Sequence, residues 1–262
     1  MSGSRRNISI AADADGVIAR LVRAAARLGD AYDSPWALVG GLAVMVQVAE
    51  AHRATADVDI VADDDAGHLE AVLATLNATT ASPTRPNGVL LDDGTSIDVI
   101  TTGGWIADDL PDDDLDRVFI LGHWWAVRTA EAVDLQVADG TTTQVTAALA
   151  VARPAALIAC KLQSCQRRQR AEAKASSDIY DIYRLLVEYD RGGDVAAGMA
   201  CGPEDLGAWC ADALTEILVT NAARSARRLG VSARGPAMAD VTALDLEVVG
   251  SLCAEAIRDG LD

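Results

Sequence analysis

In the first part of the chain, apolar residues recur at helical spacing in one segment and form short strand-like runs in others. Residues 15–28 place valine, isoleucine and leucine at helical spacing with arginines opposite, which predicts an amphipathic first helix. The short segments 36–39 and 57–61 are rich in apolar and β-branched residues, so they predict two strands. Between them, the pair Gly40-Gly41 ends the first strand and leads into a predicted helix over residues 42–51.

Turn signals divide the next stretch of the chain. Three aspartates at 63–65 predict the start of a helix over residues 66–76, and the proline, serine and asparagine of 81–87 predict a loop. The Asp-Asp-Gly sequence at 92–94 lies between two β-rich runs and predicts a hairpin turn. Residues 103–117 are predicted to form an acidic loop. Further strands are predicted at 88–91, 95–100, 124–128, 133–137 and 142–145.

The pattern becomes helical at Pro154. Because proline is favoured at the first position of a helix, a helix is predicted over residues 154–171. A second helix is predicted to begin with a cap within residues 176–178 and to end at Tyr189. The remainder of the chain is predicted to be helical or loop.

These elements predict an α+β fold in two parts. Residues 1–148 are expected to form a mixed β-sheet flanked by helices, and residues 149–262 a helical C-terminal subdomain. With 262 residues, 50% of them apolar, the chain can form one large domain or two small ones. Its formal net charge of −17 gives no general attraction for nucleic acid or anionic membranes, so any polyanion must meet a local basic patch.

The cysteines and histidines indicate the cellular compartment and the kind of metal site to expect. The five cysteines form no Cys-x-x-Cys pair and are odd in number, which favours reduced thiols in a cytosolic protein. The three histidines are scattered, so a zinc site is not expected. The sequence shows no hydrophobic signal segment and no apolar run of about 20 residues. We therefore expect a soluble, cytoplasmic protein with no membrane partner.

Three aspartates on predicted strands are the candidate chemistry of the first part. Asp57 and Asp59 stand two apart on one strand, so both side chains leave the same face, about 7 Å apart at Cα. Two adjacent carboxylates repel each other unless a cation lies between them. Asp98 lies in an apolar strand and either joins this pair or faces solvent on an edge strand. Three carboxylates suit magnesium, and two such ions can neutralise the attacking and leaving oxygens of a phosphoryl transfer.

A basic block in the helical part supplies the opposite charge. Lys161 lies in an apolar helical segment, where a lysine either extends its amine to the surface or contacts an anion such as a triphosphate. The arginines that follow it either complement the helix dipole at a solvated helix end or contact phosphate. The basic residues of the block are Arg153, Lys161, Arg167, Arg168, Arg170, Lys174, Arg184 and Arg191.

These motifs together resemble the nucleotidyltransferase superfamily, in which a Gly-Gly turn precedes an Asp-x-Asp strand and a single aspartate follows on a later strand. Within it, the chain resembles the AbiEii/MenT group of toxin nucleotidyltransferases over residues 36–186. Three more segments carry this resemblance: Arg-Ala-Thr-Ala-Asp at 53–57, the Pro-x-x-Leu-x-x-x-Lys helix at 154–161, and Asp-Ile-Tyr-Asp-Ile-Tyr-Arg-Leu-Leu at 178–186. Ser177 stands where the group often has lysine, and Lys174 lies one helical turn earlier.

The resemblance implies an α/β nucleotidyltransferase-like core and metal-dependent transfer of a nucleoside monophosphate from an NTP to an acceptor hydroxyl, with release of pyrophosphate. It implies a magnesium site, with two ions, at Asp57, Asp59 and Asp98, and Asp98 would help to deprotonate the acceptor. The expected catalytic residues are Asp57, Asp59, Asp98, Lys161 and Asp178. The expected nucleotide-binding residues are Gly40, Gly41, Arg53, Thr55 and Lys161. Asp178 is expected to orient Lys161 or the nucleotide, and Asp181 to cap or pair within its own helix.

The acceptor is the least defined part of the prediction. In the toxin group it is the 3′ end of tRNA, which the basic block could contact through backbone phosphates. The resemblance also implies a cognate antitoxin, with Thr55 as a candidate modification site. Two alternatives remain: a small-molecule nucleotidyltransferase of the aminoglycoside type, and a non-catalytic nucleotide-binding module. An acidic loop would suit a cationic aminoglycoside, although a solvated loop explains the same acids, which are Asp108, Asp109, Asp112, Asp113, Asp114 and Asp116.

Overall fold

The structure is a computed structural model that describes residues 5–11, 15–63, 71–72, 74–76, 79–82, 85–102, 110–167, 172–231 and 236–261. The chain divides into two compact units. The first unit comprises Met1–Ala51, Thr55–Leu110 and Ala126–Arg153, and the second comprises His52–Ala54, Pro111–Trp125 and Pro154–Asp262. Whether residues 1–148 and 149–262 act as separate domains stays a prediction.

The first unit is built on a mixed sheet, which confirms the predicted fold class. The described residues contribute eight strands in the order β1-β7-β8-β2-β3-β6-β5-β4. The pairs β1–β7, β8–β2 and β3–β6 are parallel, and the other neighbours are antiparallel. The strands are β1 (Arg6–Ala11), β2 (Trp36–Val39), β3 (Asp57–Ala62), β4 (Thr79–Ser82), β5 (Arg85–Leu90), β6 (Ser96–Thr101), β7 (Glu131–Asp139) and β8 (Thr142–Val151).

Two helices of the first unit accompany this sheet. Helix α1 (Val17–Ala31) buries its apolar face, contacts β8 and β3, and donates a hydrogen bond from Arg23 to the Gln144 carbonyl. Helix α2 (Gly40–Val48) follows β2 without a loop and is almost entirely buried. It therefore begins two residues earlier than predicted, so that both glycines belong to its first turn.

The second unit is helical in its described residues. Its helices are α3 (Asp114–Arg128, which belongs to this unit as far as Trp125), α4 (Pro154–Arg167), α5 (Glu172–Tyr189), α6 (Asp194–Ala200), α7 (Leu206–Leu214), α8 (Ala222–Gly230) and α9 (Ala243–Leu261). A π-helical segment, Thr215–Thr220, joins the region of α7 to that of α8. None of the described helices has the length and apolar character needed to cross a membrane.

Helix α3 corrects the predicted strand at 124–128. The Asp113 carboxylate accepts the backbone N–H of Asp116, as a capping residue does. Val118, Leu121 and Trp125 then follow at helical spacing and are buried. The short apolar run was wrongly assigned because its period becomes visible only over the whole of Asp114–Arg128.

Two other predictions at element boundaries were wrong. The predicted loop at 81–87 overlaps β4 and β5, where pairing with neighbouring strands overrides the turn-forming composition; residues 83 and 84 lie outside the described residues. The predicted cap at 176–178 lies inside α5, and its side chains are buried. Strand β1 was not predicted, although Ile8 and Ile10 alternate with polar residues.

Some predictions fall on residues that are not described. Most of the predicted helix at 66–76 is among them, because residues 64–70 and 73 lie outside the described ranges. The same holds for residues 103–109 of the acidic loop, including Asp108 and Asp109, and for Arg168 and Arg170 of the basic block.

Candidate active site

The three predicted aspartates lie together on one face of the sheet. In the parallel pair β3–β6, Asp59 is directly opposite Asp98, and Asp57 is opposite Ser96. One oxygen from each of the three carboxylates lies within 4.8 Å of the other two. Strand β6 lies between β3 and β5, so the alternative that placed Asp98 on an edge strand is wrong.

The donor set of this aspartate trio (Asp57, Asp59 and Asp98) fits a hard divalent cation. All three side chains are half-buried, and all their donor atoms are carboxylate oxygens, the ligands that magnesium prefers. Like charges held this close raise the free energy of the folded state, and a divalent cation would relieve that repulsion. The identity and number of the ions stay predictions.

Gly40 lies against the aspartate trio. Its φ is +70°, a conformation that side chains rarely adopt, and a Cβ built on it would overlap the Asp59 carboxylate. Gly40 is also the first residue of α2, whose first turn has backbone N–H groups without helical partners. The glycine therefore allows the backbone at a helix N-terminus to approach the carboxylate cluster closely.

A buried polar network in the second unit holds four of the residues singled out by sequence motifs. Its centre is Asp181, whose side chain is fully buried. Arg53 binds it with both ends of the guanidinium, donating Nε to Oδ1 at 2.7 Å and NH2 to Oδ2 at 2.6 Å. Lys161 Nζ lies 2.8 Å from Asp181 Oδ2 and donates to Asp178 Oδ1 at 2.7 Å.

Two more side chains complete this network. His52 Nε2 lies 2.8 Å from Asp181 Oδ1; an ionised carboxylate can only accept, so this nitrogen carries the hydrogen. Ser164 donates its hydroxyl to Asp178 Oδ2 at 2.8 Å. The cations Lys161 and Arg53 lie against the carboxylates Asp178 and Asp181, which is how buried charges are tolerated in a protein interior.

The network controls the charge states of its members. Burial by itself would lower the pKa of Lys161, but Asp178 and Asp181 more than reverse this, so the pKa is raised. Burial would likewise raise the pKa of Asp181, but Lys161, Arg53 and His52 hold that pKa well below its usual range. Both groups therefore stay charged at neutral pH.

The Lys161 ammonium has one hydrogen that the network does not use. Its side chain is only 10% exposed, so the alternative of a surface lysine is wrong. An ammonium carries three hydrogens, and the two carboxylates use two of them. Within the described part of the chain, the third has no acceptor.

The remaining predicted residues have mixed surroundings. Gly41 is buried in the first turn of α2, and Thr55 lies half-exposed in the segment before β3. The guanidinium of Arg53 is engaged with Asp181, so its contact with a nucleotide stays a prediction, as does that of Thr55. The prediction that Asp181 pairs within its own helix is wrong, because its partners come from other segments.

Three described residues of the basic block have carboxylate partners. Lys161 is internal, Arg167 pairs with Asp116 at 3.0 Å, and Arg184 lies 3.8 Å from Glu188. Part of the predicted acidic loop is helical, because α3 begins at Asp114. Asp114 pairs with Arg117, and Asp116 with Arg167, so these acids are neutralised locally.

Sequence reasoning missed the roles of His52 and Asp181. A usable signal existed for Asp181, because residues three apart lie on the same face of a helix, and Asp178 was already a candidate. His52 precedes Arg53 in the motif region but was treated as one of three scattered histidines. Its distance from Asp181 in sequence hides the contact.

Replacement of Gly40 by alanine should weaken cation binding. The new Cβ would displace the Asp59 carboxylate, and we expect the affinity for Mn²⁺, used as a spectroscopic substitute for magnesium, to fall by about 10- to 100-fold. Gly94→Ala is the matched control, since Gly94 has φ +79° and open space around it. Electron paramagnetic resonance titration measures both affinities; an equal loss in the two variants would contradict the proposed contact.

Removal of the Asp181 charge should destabilise the fold strongly. Asp181→Asn removes the carboxylate that binds the buried Arg53 guanidinium and leaves Lys161 paired with Asp178, and we expect a loss of about 3–5 kcal/mol in the free energy of unfolding, measured with urea. Asp212→Asn is the control, because its partner Arg258 is exposed and such pairs contribute about 1 kcal/mol or less. Similar losses in both variants would contradict this assignment.

The stabilities of the wild type and of Asp181→Asn should depend differently on pH. Because the folded pKa of Asp181 is held below 3.8, its stabilising contribution is complete above that value and is lost as the pH falls toward the folded pKa. Wild-type stability should fall as the pH drops below about 4, and the stability of Asp181→Asn should fall less steeply. Parallel curves from urea titrations across this range would argue against the network.

A family model and solved structures are similar to this chain. The family model described as nucleotidyl transferase AbiEii toxin, type IV toxin–antitoxin system, matches residues 24–201. No curated protein matches the chain. Its fold is similar to the crystal structure of JHP933 from Helicobacter pylori, with a TM-score of 0.50 and 14% identity over 92% of each chain. An antigenic nucleotidyltransferase-like protein from Paracoccidioides brasiliensis gives a TM-score of 0.43 and 18% identity over 72% of this chain and 88% of that chain. Because the family match spans well over half of the sequence, this chain belongs to the AbiEii family of nucleotidyl transferase toxins.

Proposed function

We propose that this protein transfers a nucleoside monophosphate from an NTP to an acceptor hydroxyl and releases pyrophosphate. The observation that carries the proposal is the convergence of Asp57, Asp59 and Asp98, one oxygen of each within 4.8 Å of the others. Such a cluster is poorly suited to a neutral ligand and well suited to the cations that accompany a triphosphate. Family membership supports the same chemistry.

The three aspartates have distinct proposed roles. Asp57 and Asp59 would hold magnesium and, through it, orient the NTP. When bound, the ion would neutralise negative charge on the phosphates. The Asp98 carboxylate accepts the proton of the acceptor hydroxyl, whose oxygen bonds to the α-phosphorus while the bond from that phosphorus to the departing pyrophosphate breaks.

Backbone and basic groups of each unit also have proposed roles in nucleotide binding. Gly40 and Gly41 present N–H groups at the start of α2, where a helix favours anions. Lys161 is charged, and its third hydrogen can be donated to a phosphate oxygen. Asp178 and Asp181 act as positioning residues, because they fix the Lys161 ammonium. Arg53 and Thr55 precede β3 and are proposed to border the triphosphate.

The proposed acceptor is the 3′ end of tRNA, and the proposed partner is a cognate antitoxin. Both proposals rest on membership in a toxin family of toxin–antitoxin systems. The aminoglycoside alternative loses support, since the described acids of the supposed acidic loop include Asp114 and Asp116, which lie in α3 and pair with arginines.

Labelled nucleotides test the proposal directly. The protein is incubated with each of the four labelled NTPs, magnesium, and either total RNA or a panel of aminoglycosides. We expect label in tRNA, and Asp57→Asn or Asp98→Asn should lower transfer by at least about 100-fold. Asp139→Asn, at an exposed strand end of the first unit, is the matched control and should transfer normally.

Other outcomes separate the alternatives. Label in an aminoglycoside would replace the tRNA acceptor by a small molecule. Tight nucleotide binding without label in any acceptor would favour the non-catalytic module. Undiminished transfer by folded Asp57→Asn protein would refute the assigned role of the aspartate trio.

A further inference from the structure

Helix α8 (Ala222–Gly230) presents an arginine face outside the region matched by the family. Ala222, Ser225 and Leu229 are buried on its inner side. Arg224 and Arg227 lie three residues apart on the outer side and are exposed. The helix is therefore held by its small and apolar residues and keeps its cations at the surface.

These arginines differ from the other described cations of the second unit. Six of those cations form ion pairs with carboxylates: Arg53, Arg117, Lys161, Arg167, Arg184 and Arg258. Arg224, Arg227 and the exposed Lys174 have no such pair among the described residues. In a chain of net charge −17, these three cations are therefore not neutralised by a described carboxylate.

Helix capping does not explain this face. Cations stabilise the last turn of a helix through its dipole, which accounts for Arg227 and Arg228. Arg224 lies in the first turn, where the dipole is positive and a cation is unfavourable. The helix dipole therefore does not account for the position of Arg224.

A cavity beside this face adds polar donors. The cavity, of about 50 Å³, is lined by Arg224 and Arg228 together with the amides of Gln166 and Asn221. Glu216 also lines it, and its carboxylate accepts a hydrogen bond from Gln166 at 3.1 Å. Both amides donate to Glu216, Gln166 to its carboxylate and Asn221 to its backbone carbonyl at 2.9 Å, so the Arg224 guanidinium is the group here that suits a phosphate oxygen.

Lys174 belongs to the same neighbourhood. Ser176 on α5 donates its hydroxyl to the Arg228 carbonyl at 3.2 Å, which joins the end of α8 to the segment that carries Lys174. We name Lys174, Arg224, Arg227 and Arg228 the α8 basic face. It draws its members from two helices that pack against each other.

We infer that the α8 basic face binds the phosphate backbone of an RNA acceptor. The inference rests on the proposed function, since it assigns an RNA-binding surface to that reaction. Arginine forks bind phosphates in bidentate fashion, and such contacts fix the position of the RNA without reading its sequence. An acidic protein bound at this face is the competing outcome of the test.

Binding of purified tRNA to the full-length protein is measured by fluorescence anisotropy over a series of NaCl concentrations. The variant Arg224→Ser/Arg227→Ser should bind about 10- to 100-fold more weakly and lower the salt dependence, as the slope of log K against log salt, by about 2. Arg224→Ser is compared with Arg20→Ser, which removes an exposed arginine from α1 that also lacks a described carboxylate partner. The Arg20→Ser protein should bind tRNA like the wild type.

Kinetics separate this inference from the proposed function. If transfer to tRNA occurs, the double variant should raise the KM for tRNA and leave the KM for NTP unchanged. Unchanged tRNA binding and KM in folded double variant would overturn the inference while the function stands. Wild-type protein that binds tRNA through these arginines but transfers nothing would refute the function and support the inference. No tRNA binding by the wild type, or capture of an acidic protein alone, would overturn the inference.

Discussion

The parallel pairing of β3 with β6 is the constraint on which the aspartate trio depends. Val58, Ile60, Ile97 and Val99 are fully buried on one face of these strands. Because side chains alternate, the residues between them must lie on the other face, and a slip of one residue would bury the carboxylates instead. The hydrophobic core thus fixes the register that places Asp59 opposite Asp98. The same burial that stabilises the sheet therefore holds like charges together, which only a counter-charge makes favourable.

In the second unit, buried charges are compensated by pairing with each other. Asp181 is fully buried yet ionised, because Arg53, Lys161 and His52 surround its two oxygens. A buried ion pair gives little net stability, since desolvation opposes the attraction. The ion pairs instead fix the position of the Lys161 ammonium. If it moved away from Asp178 and Asp181, it would leave buried charges without a partner. A lysine restrained in this way can bind an anion with little further loss of conformational freedom.

The sequence predicted what depends on local periodicity and missed what depends on distant contacts. The pattern of β3 and β6 was visible because alternating residues reveal the two faces of a strand, so the aspartate trio could be foreseen. Helix α3 was mistaken for a strand where only its last apolar residues were considered. The partners of Asp181 could not be foreseen, because His52 and Arg53 lie 129 and 128 residues away. Such contacts follow from the packed fold, which no short motif encodes.

The strongly acidic composition makes local cation placement decisive. At physiological ionic strength, charges interact over about 8 Å, so a polyanion responds to the nearest side chains more than to the net charge of −17. Carboxylates over the rest of the surface repel nucleic acid that approaches in other orientations, and this repulsion gives specificity. Cations already paired with carboxylates, such as Arg167 and Arg258, contribute little to such attraction. The proposed binding of RNA at the α8 basic face therefore depends on the grouping of Arg224 and Arg227 on one helix face, and not on the absence of a carboxylate partner alone.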